Sequence, residues 1–272
     1  RSPARLGVRG DREDEDPEDE PAVSTERRKP QKIGGGITGL TDLPVAKTVM
    51  GDQWWLSFWV PREGARSYLI VGVMGSGKGS ALWAPITAMR PALERGLVRL
   101  IGIDPKRMEF GMAPGIFAEL VKGYGTDEIA RIVEILDDEV RQMTERQDWL
   151  TAAGKRLHVP TPQHPLHVIA IDELMAVTYF IRRADPVSYN RIMTNLNLIG
   201  TQGRACGWLL IAATQNPKAE VMDMLREAFA TRVCLRPSSA THVDMALGWG
   251  ARSAGALADK IPKDGAQGTG YV

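Results

Sequence analysis

The sequence predicts an α/β domain with a mostly parallel sheet flanked by helices. Three observations predict it. Short apolar runs recur along the chain, helical periodicity lies between them, and a glycine-rich turn joins the first run to a helix. The runs are Tyr68-Leu-Ile-Val-Gly72, Val98-Arg-Leu-Ile-Gly-Ile103, His167-Val-Ile-Ala-Ile171, Trp208-Leu-Leu-Ile-Ala-Ala213 and Thr231-Arg-Val-Cys-Leu235. A strand covered on both faces shows no polar side. Nearly continuous runs, rather than alternation, therefore fit a buried parallel sheet. Strands that alternate with helices give the same class. The longest helix begins at Thr126, which is placed to cap it, with Asp127 and Glu128 in its first turn. Ile129, Ile132, Val133, Leu136, Val140 and Met143 then recur at helical spacing as a packing stripe.

The glycine-rich turn is Gly72-Val-Met-Gly-Ser-Gly-Lys78. It has the Gly-x-x-x-x-Gly-Lys spacing of a P-loop, after a strand and before a helix. Gly72, Gly75 and Gly77 let backbone N–H groups turn inward around phosphate oxygens, with Ser76 between them. The helix N-terminus adds positive potential, and Lys78 reaches the terminal phosphates as a point charge. One position departs from the pattern. A Ser or Thr hydroxyl that binds Mg²⁺ normally follows the lysine; here Gly79 follows, and then Ser80. Either Ser80 supplies the hydroxyl after a small shift, or water fills the place. Gly79 and Pro85 also weaken the helix that follows.

The third run ends in Asp172-Glu173, 94 residues after Lys78. Four apolar residues followed by two carboxylates fit the Walker B pattern. Asp172 would hold Mg²⁺ directly or through water, and Glu173 would orient and polarise the attacking water. The fourth run ends in Thr214-Gln215-Asn216-Pro217. A Thr or Gln there can touch the γ-phosphate and the water, so Gln215 joins the candidate catalytic set. The four histidines, His158, His164, His167 and His242, show no metal-ligand spacing.

Composition bounds the rest. The 272 residues are 43% hydrophobic and 25% charged, which excludes collagen-like and wholly disordered chains. Net charge is +1, with −2 in residues 1–42 and +3 in the remainder. A nucleic-acid surface would have to be local, or built by repeating subunits. Two cysteines make no disulfide framework and point to a reducing compartment. Residues 1–42 read as a disordered charged tail or linker, with an acidic block from Asp11 to Glu20, the mostly basic Glu26-Arg-Arg-Lys29 and the joint Gly34-Gly35-Gly36. No apolar run approaches transmembrane length. The chain opens on Arg1, so an upstream membrane anchor stays compatible with it. Trp54, Leu56, Phe58 and Val60 share one strand parity, a packing face.

The ordered motifs of residues 43–272 resemble the FtsK/SpoIIIE family of P-loop motors. The matching segments are Gly75-Ser-Gly-Lys78, Ile103-Asp-Pro-Lys106 with Arg107-Met-Glu-Phe110, and Glu145-Arg146 through Gly154-Lys-Arg156. The apolar-Asp172-Glu173 strand, Gly203-Arg-Ala-Cys-Gly207, Ala213-Thr-Gln-Asn-Pro217, Thr231-Arg-Val233 and Ser238-Ser239 complete the series. The Gly-Lys-Gly-Ser variant looks like that of the actinobacterial conjugative-transfer, TraB-like branch. Thr241-His-Val-Asp244 departs from the usual Asp-Ser-Arg, and the winged-helix DNA-reading module of some relatives is absent from the chain.

The resemblance implies a RecA-like motor domain over 43–272. It would work as a ring, usually a hexamer, around double-stranded DNA, at the inner, cytoplasmic face of the membrane. ATP would bind between subunits. Arg204 matches the position of an arginine finger entering the neighbour's site, where a guanidinium can stabilise charge on the γ-phosphoryl oxygens. Arg182 and Arg183 match basic residues in a pore-facing loop after the Walker B helix, where they would meet DNA phosphates without reading bases. The leading expectation is an ATP-driven double-stranded DNA translocase for plasmid or integrative-element transfer or chromosome segregation. Its rivals are a type VII secretion-type ATPase moving protein, and a nucleotide-binding assembly module with weak hydrolysis.

Overall fold

The computed structural model describes residues 36–272, and most of the predicted charged tail lies outside them. Ordered packing begins before residue 43, because Leu40 is fully buried and Thr41 Oγ1 donates to Trp59 O at 2.8 Å. Residues 36–42, which the sequence reading gave to the tail, therefore include packed positions.

A hairpin of β1 (Leu43–Lys47) and β2 (Gln53–Leu56) comes first, then a smaller one of β3 (Trp59–Val60) and β4 (Gly64–Ala65). The shared parity of Leu56, Phe58 and Val60 is a buried face, against which Trp54 packs. The main chain then alternates. In order come β5 (Tyr68–Val71), α1 (Lys78–Ala88), α2 (Arg90–Glu94), β6 (Val98–Asp104), β7 (Glu119–Lys122), α3 (Thr126–Ala152), β8 (Leu166–Ile171), α4 (Leu174–Ala184) and α5 (Pro186–Cys206). After them follow β9 (Trp208–Thr214), α6 (Ala219–Met224), β10 (Thr231–Leu235), α7 (Ala240–Leu247) and β11 (Gly270–Tyr271). The seven-stranded sheet has the order β11-β10-β5-β9-β8-β6-β7, parallel throughout except for the antiparallel β11.

Each of the five apolar runs is a strand of this sheet. Their continuity has the expected cause. In β5, Leu69 and Val71 enter the core under α3, α4 and α5, while Tyr68 and Ile70 enter the core under α1 and the β1–β2 hairpin. The two-residue period of a strand divides every run between two apolar layers. The edge strand β7 carries the mixed sequence Glu-Leu-Val-Lys and gave no such signal. Helix α1 runs through Pro85 and stops at Ala88. Thr126 is the first residue of α3, one place later than a cap, and Gly125 takes the cap position. Asp185 caps α5 by accepting from Val187 N and Ser188 N at 3.1 Å each, with Pro186 at the first helical position. Gly207 ends α5 at φ 89°, a left-handed turn that glycine enters without a Cβ clash.

Candidate functional site

The sheet order decides what meets. Strand β9 lies between β5 and β8. The P-loop after β5, the acidic pair after β8 and the polar tip of β9 therefore emerge side by side at the carboxyl ends of three adjacent strands, where open parallel sheets hold ligands.

The P-loop has no protein group capping it. Gly77 occupies the position before α1 at φ 91°, no side chain caps the helix, and no acidic residue lies in its first turn. A Cβ at Gly77 would come 2.4 Å from Gly268 N, which donates to Ser76 O at 2.8 Å. Glycine is required there by conformation and by space. Ser76 Oγ is buried without a hydrogen-bond partner. An open helix N-terminus with an orphaned hydroxyl beside it suits an anion with many acceptor oxygens.

Lys78, Asp172 and Glu173 are 9, 4 and 4% exposed. Lys78 Nζ donates to Asp172 Oδ1 at 2.6 Å, so the P-loop lysine is paired with the first carboxylate at the end of β8. Glu173 Oε1 accepts from Thr214 Oγ1 at 2.8 Å and Gln215 N at 3.0 Å. Its Oε2 accepts from Lys106 Nζ at 3.0 Å. Glu173 itself sits at φ 66°, ψ 67°, immediately before α4. A left-handed non-glycine residue costs roughly 1–3 kcal/mol, and such strain gathers at functional sites.

The structure brings together Ser76, Gly77, Lys78, Asp172, Glu173 and the Gln215 backbone. Ser80 is exposed on α1. Two residues that the sequence reading left out complete the site. Lys106 and Glu109 both stand in the turn after β6, anchored by the fully buried Asp104. Their signal was present in Ile103-Asp-Pro-Lys106 and the Glu three residues on. Burial and the neighbouring Asp172 carboxylate push the Glu109 carboxyl up from its ordinary range, against the pull of Lys78.

Arg204 lies elsewhere, exposed in the last turn of α5, with Nε donating to Glu63 O at 2.7 Å. It precedes the amino end of β9, whereas Thr214 closes the carboxyl end. Seven residues at about 3.3 Å each put them ~20 Å apart. Arg182 and Arg183 are in the last turn of α4 rather than in a loop beyond it, because α4 continues to Ala184. Arg182 Nη1 donates to Glu220 Oε1 and Oε2 at 2.8 and 2.9 Å, and Arg183 is exposed. Tyr124 and Phe180 stack at 4.5 Å beside them, and Lys218 lies over the Tyr179 ring at 4.9 Å, which gives an exposed patch of aromatic and cationic groups.

Residues that fit a nucleoside triphosphate with its magnesium are thus in place. Among the described residues no three His, Cys, Asp or Glu side chains are grouped to hold a metal alone. A nucleotide's magnesium asks for less, one or two carboxylates with phosphates and waters.

Comparison with known proteins bears on the fold and the family. "DNA translocase FtsK" of Tropheryma whipplei is 30% identical over 178 residues, 59% of this chain and 22% of that protein. "DNA translocase SftA" of Bacillus subtilis is 29% identical over 183 residues, 63% and 18% of the two chains. The chain thus spans about a fifth of the length of these curated relatives. Among solved structures, the pCW3 conjugation coupling protein TcpA, a monomer form with ATPγS, superposes with TM-score 0.65 at 17% identity, over 80% of this chain and 60% of that one. The cytoplasmic domain of the Thermomonospora curvata type VII secretion ATPase EccC gives 0.63 at 19% identity, over 87% and 28%. At these identities the two structures support the fold alone. The model of the FtsK/SpoIIIE family matches residues 60–252, most of the chain, and the protein belongs to that family.

Proposed function

We propose that this chain is the motor part of an ATP-driven double-stranded DNA translocase. One observation carries the reading: Lys78, Asp172, Glu173 and Thr214 converge from three adjacent strands onto an uncapped P-loop. In this reading the P-loop amides and Lys78 hold the triphosphate. Asp172, with Ser80 or water, takes the magnesium, which would withdraw charge from the phosphates. Glu173 accepts the proton of the attacking water while the bond from the γ-phosphorus to its bridging oxygen breaks. Gln215, whose backbone N–H already bonds Glu173, would help orient that water, and Lys106 would position Glu173.

DNA as cargo is supported by the relatives' names and by the patch around Arg182, Arg183 and Lys218. Such contacts track phosphates, so binding should weaken steeply with salt. Arg204 is too far from its own P-loop to act there. Its role belongs to a ring, in the neighbour's site, with six subunits as the family resemblance implies. We place that ring on the cytoplasmic side of a membrane, serving conjugal transfer or chromosome segregation. Among the described residues no helix is long and apolar enough to cross a membrane.

The test is steady-state ATP hydrolysis at low salt with and without double-stranded DNA, with Glu173→Gln as the blank. DNA-stimulated turnover that falls as salt rises is expected. Turnover indifferent to DNA but raised by a secretion-signal peptide would move the cargo to protein. Nucleotide-dependent assembly without turnover would make the chain an assembly module.

A further inference from the structure

The place beside Lys78 where a P-loop ordinarily carries its hydroxyl is filled from the turn after β6. A Cβ on Gly79 would come 2.8 Å from Glu109 Oε1 and 3.3 Å from Oε2. A side chain at 79 and the Glu109 carboxylate compete for one volume. The backbone that presents that carboxylate is held in position. Asp104 Oδ2 accepts from Glu109 N and Phe110 N, each at 3.0 Å, and pins the turn that presents it. Phe110 is fully buried behind it.

The charges around Glu109 are not balanced for long. It shares the field of Lys78 with Asp172, and Lys78 is already bonded to Asp172. ATP draws the lysine toward its phosphates. Two carboxylates would then face each other and a polyanion with no cation between them. Like charges at such range cost free energy unless a counter-ion enters. Magnesium is that ion: it arrives with ATP and accepts one or two carboxylates beside phosphates and waters. Ser80 is one residue further along α1, about 100° around the helix axis from Gly79, and exposed.

We propose that Glu109 replaces the missing P-loop hydroxyl, so that its carboxylate and that of Asp172 share the magnesium of ATP, directly or through one water. Gly79 is then the residue that lets the carboxylate in. This rests on the nucleotide-site reading above and names the residue that supplies its second ligand.

The experiment titrates magnesium into the full chain while a fluorescent ATP analogue reports binding, with a parallel titration in EDTA. Glu109→Gln keeps shape and removes charge. It should raise the half-saturating magnesium by about tenfold or more. Its nucleotide affinity in EDTA should be unchanged or tighter, since a negative charge near the phosphates is gone. Gly79→Ser should also weaken magnesium binding, raising the half-saturating magnesium, because its side chain meets Glu109. Gly79→Ser combined with Glu109→Ala should recover it, the new hydroxyl entering the vacated space. An unchanged magnesium requirement in Glu109→Gln would overturn the proposal. So would a rise confined to Ser80→Ala. Failure of the unsubstituted chain to bind the analogue in either condition would overturn the nucleotide-site reading itself, and the proposal with it.

Discussion

His158 is buried with both ring nitrogens unpaired, and that sets how the fold meets acid. Burial, reinforced by the nearby Arg146, pushes its imidazole down to about 4 from an ordinary 6.5. The unfolded chain therefore takes up this proton first as pH falls. Stability should decline from pH 6.5 to about 4, by about 2–3 kcal/mol in all, and this component should level off below that. His158→Gln carries a constant cost but no such titration. Urea unfolding at pH 7, 5.5 and 4 should show a flatter profile for the variant; parallel profiles would refute the assignment. Single residues were unevenly legible. Lys78, Asp172 and Glu173 stand at fixed spacings from strands and could be read directly. Lys106 and Glu109 lie in a segment that stood out in the sequence, but their roles come from the turn that Asp104 folds, which spacing does not show. Gly79 read as a defect until Glu109 was seen against it.

Helix α3 shows the same limit at the scale of an element. Its stripe was legible, and Ile129, Ile132, Leu136 and Met143 are buried as the period requires. Glu139 breaks the pattern by being buried in that stripe. Its carboxylate accepts from Trp208 Nε1 at 2.7 Å and lies 2.6 Å from His167 Nδ1, fastening α3 to the starts of β8 and β9. Arg146, on the next turns of α3, covers the Trp208 ring at 4.2 Å. The partners are 69 and 28 residues away, so no local signal announces them. Glu139→Ala leaves the indole N–H of Trp208 and Nδ1 of His167 without their partner in the interior. A loss of roughly 3–5 kcal/mol in denaturant unfolding is expected, against a small effect from alanine at the exposed Arg141. The strands were legible for a simpler reason: burial on both faces leaves a run with no polar side. Strand β7, on the edge, lacks that constraint and lacks the signature.

At the scale of the molecule the class of fold was legible, but the strand order was not. Nothing in the spacing says that β9 separates β5 from β8. That order is what brings Thr214 to Glu173 and leaves Arg204 at the far side of the sheet. If Arg204 serves a neighbour's site, two inactive variants should complement each other. Arg204→Ala and Glu173→Gln should each lose turnover alone. A mixture should regain part of it, because an Arg204→Ala protomer keeps its own Glu173 and borrows a finger. Turnover retained by Arg204→Ala alone, or none from a mixture shown to have co-assembled, would exclude a finger there.

Strand β9 thereby acquires a meaning beyond packing. At one tip it grips the Glu173 carboxylate, the proposed base; at its root, across Gly207, it joins the helix that bears Arg204. If the proposed ring forms, the strand that senses one protomer's fuel is joined to the spark offered to its neighbour, so the two sites share one lever.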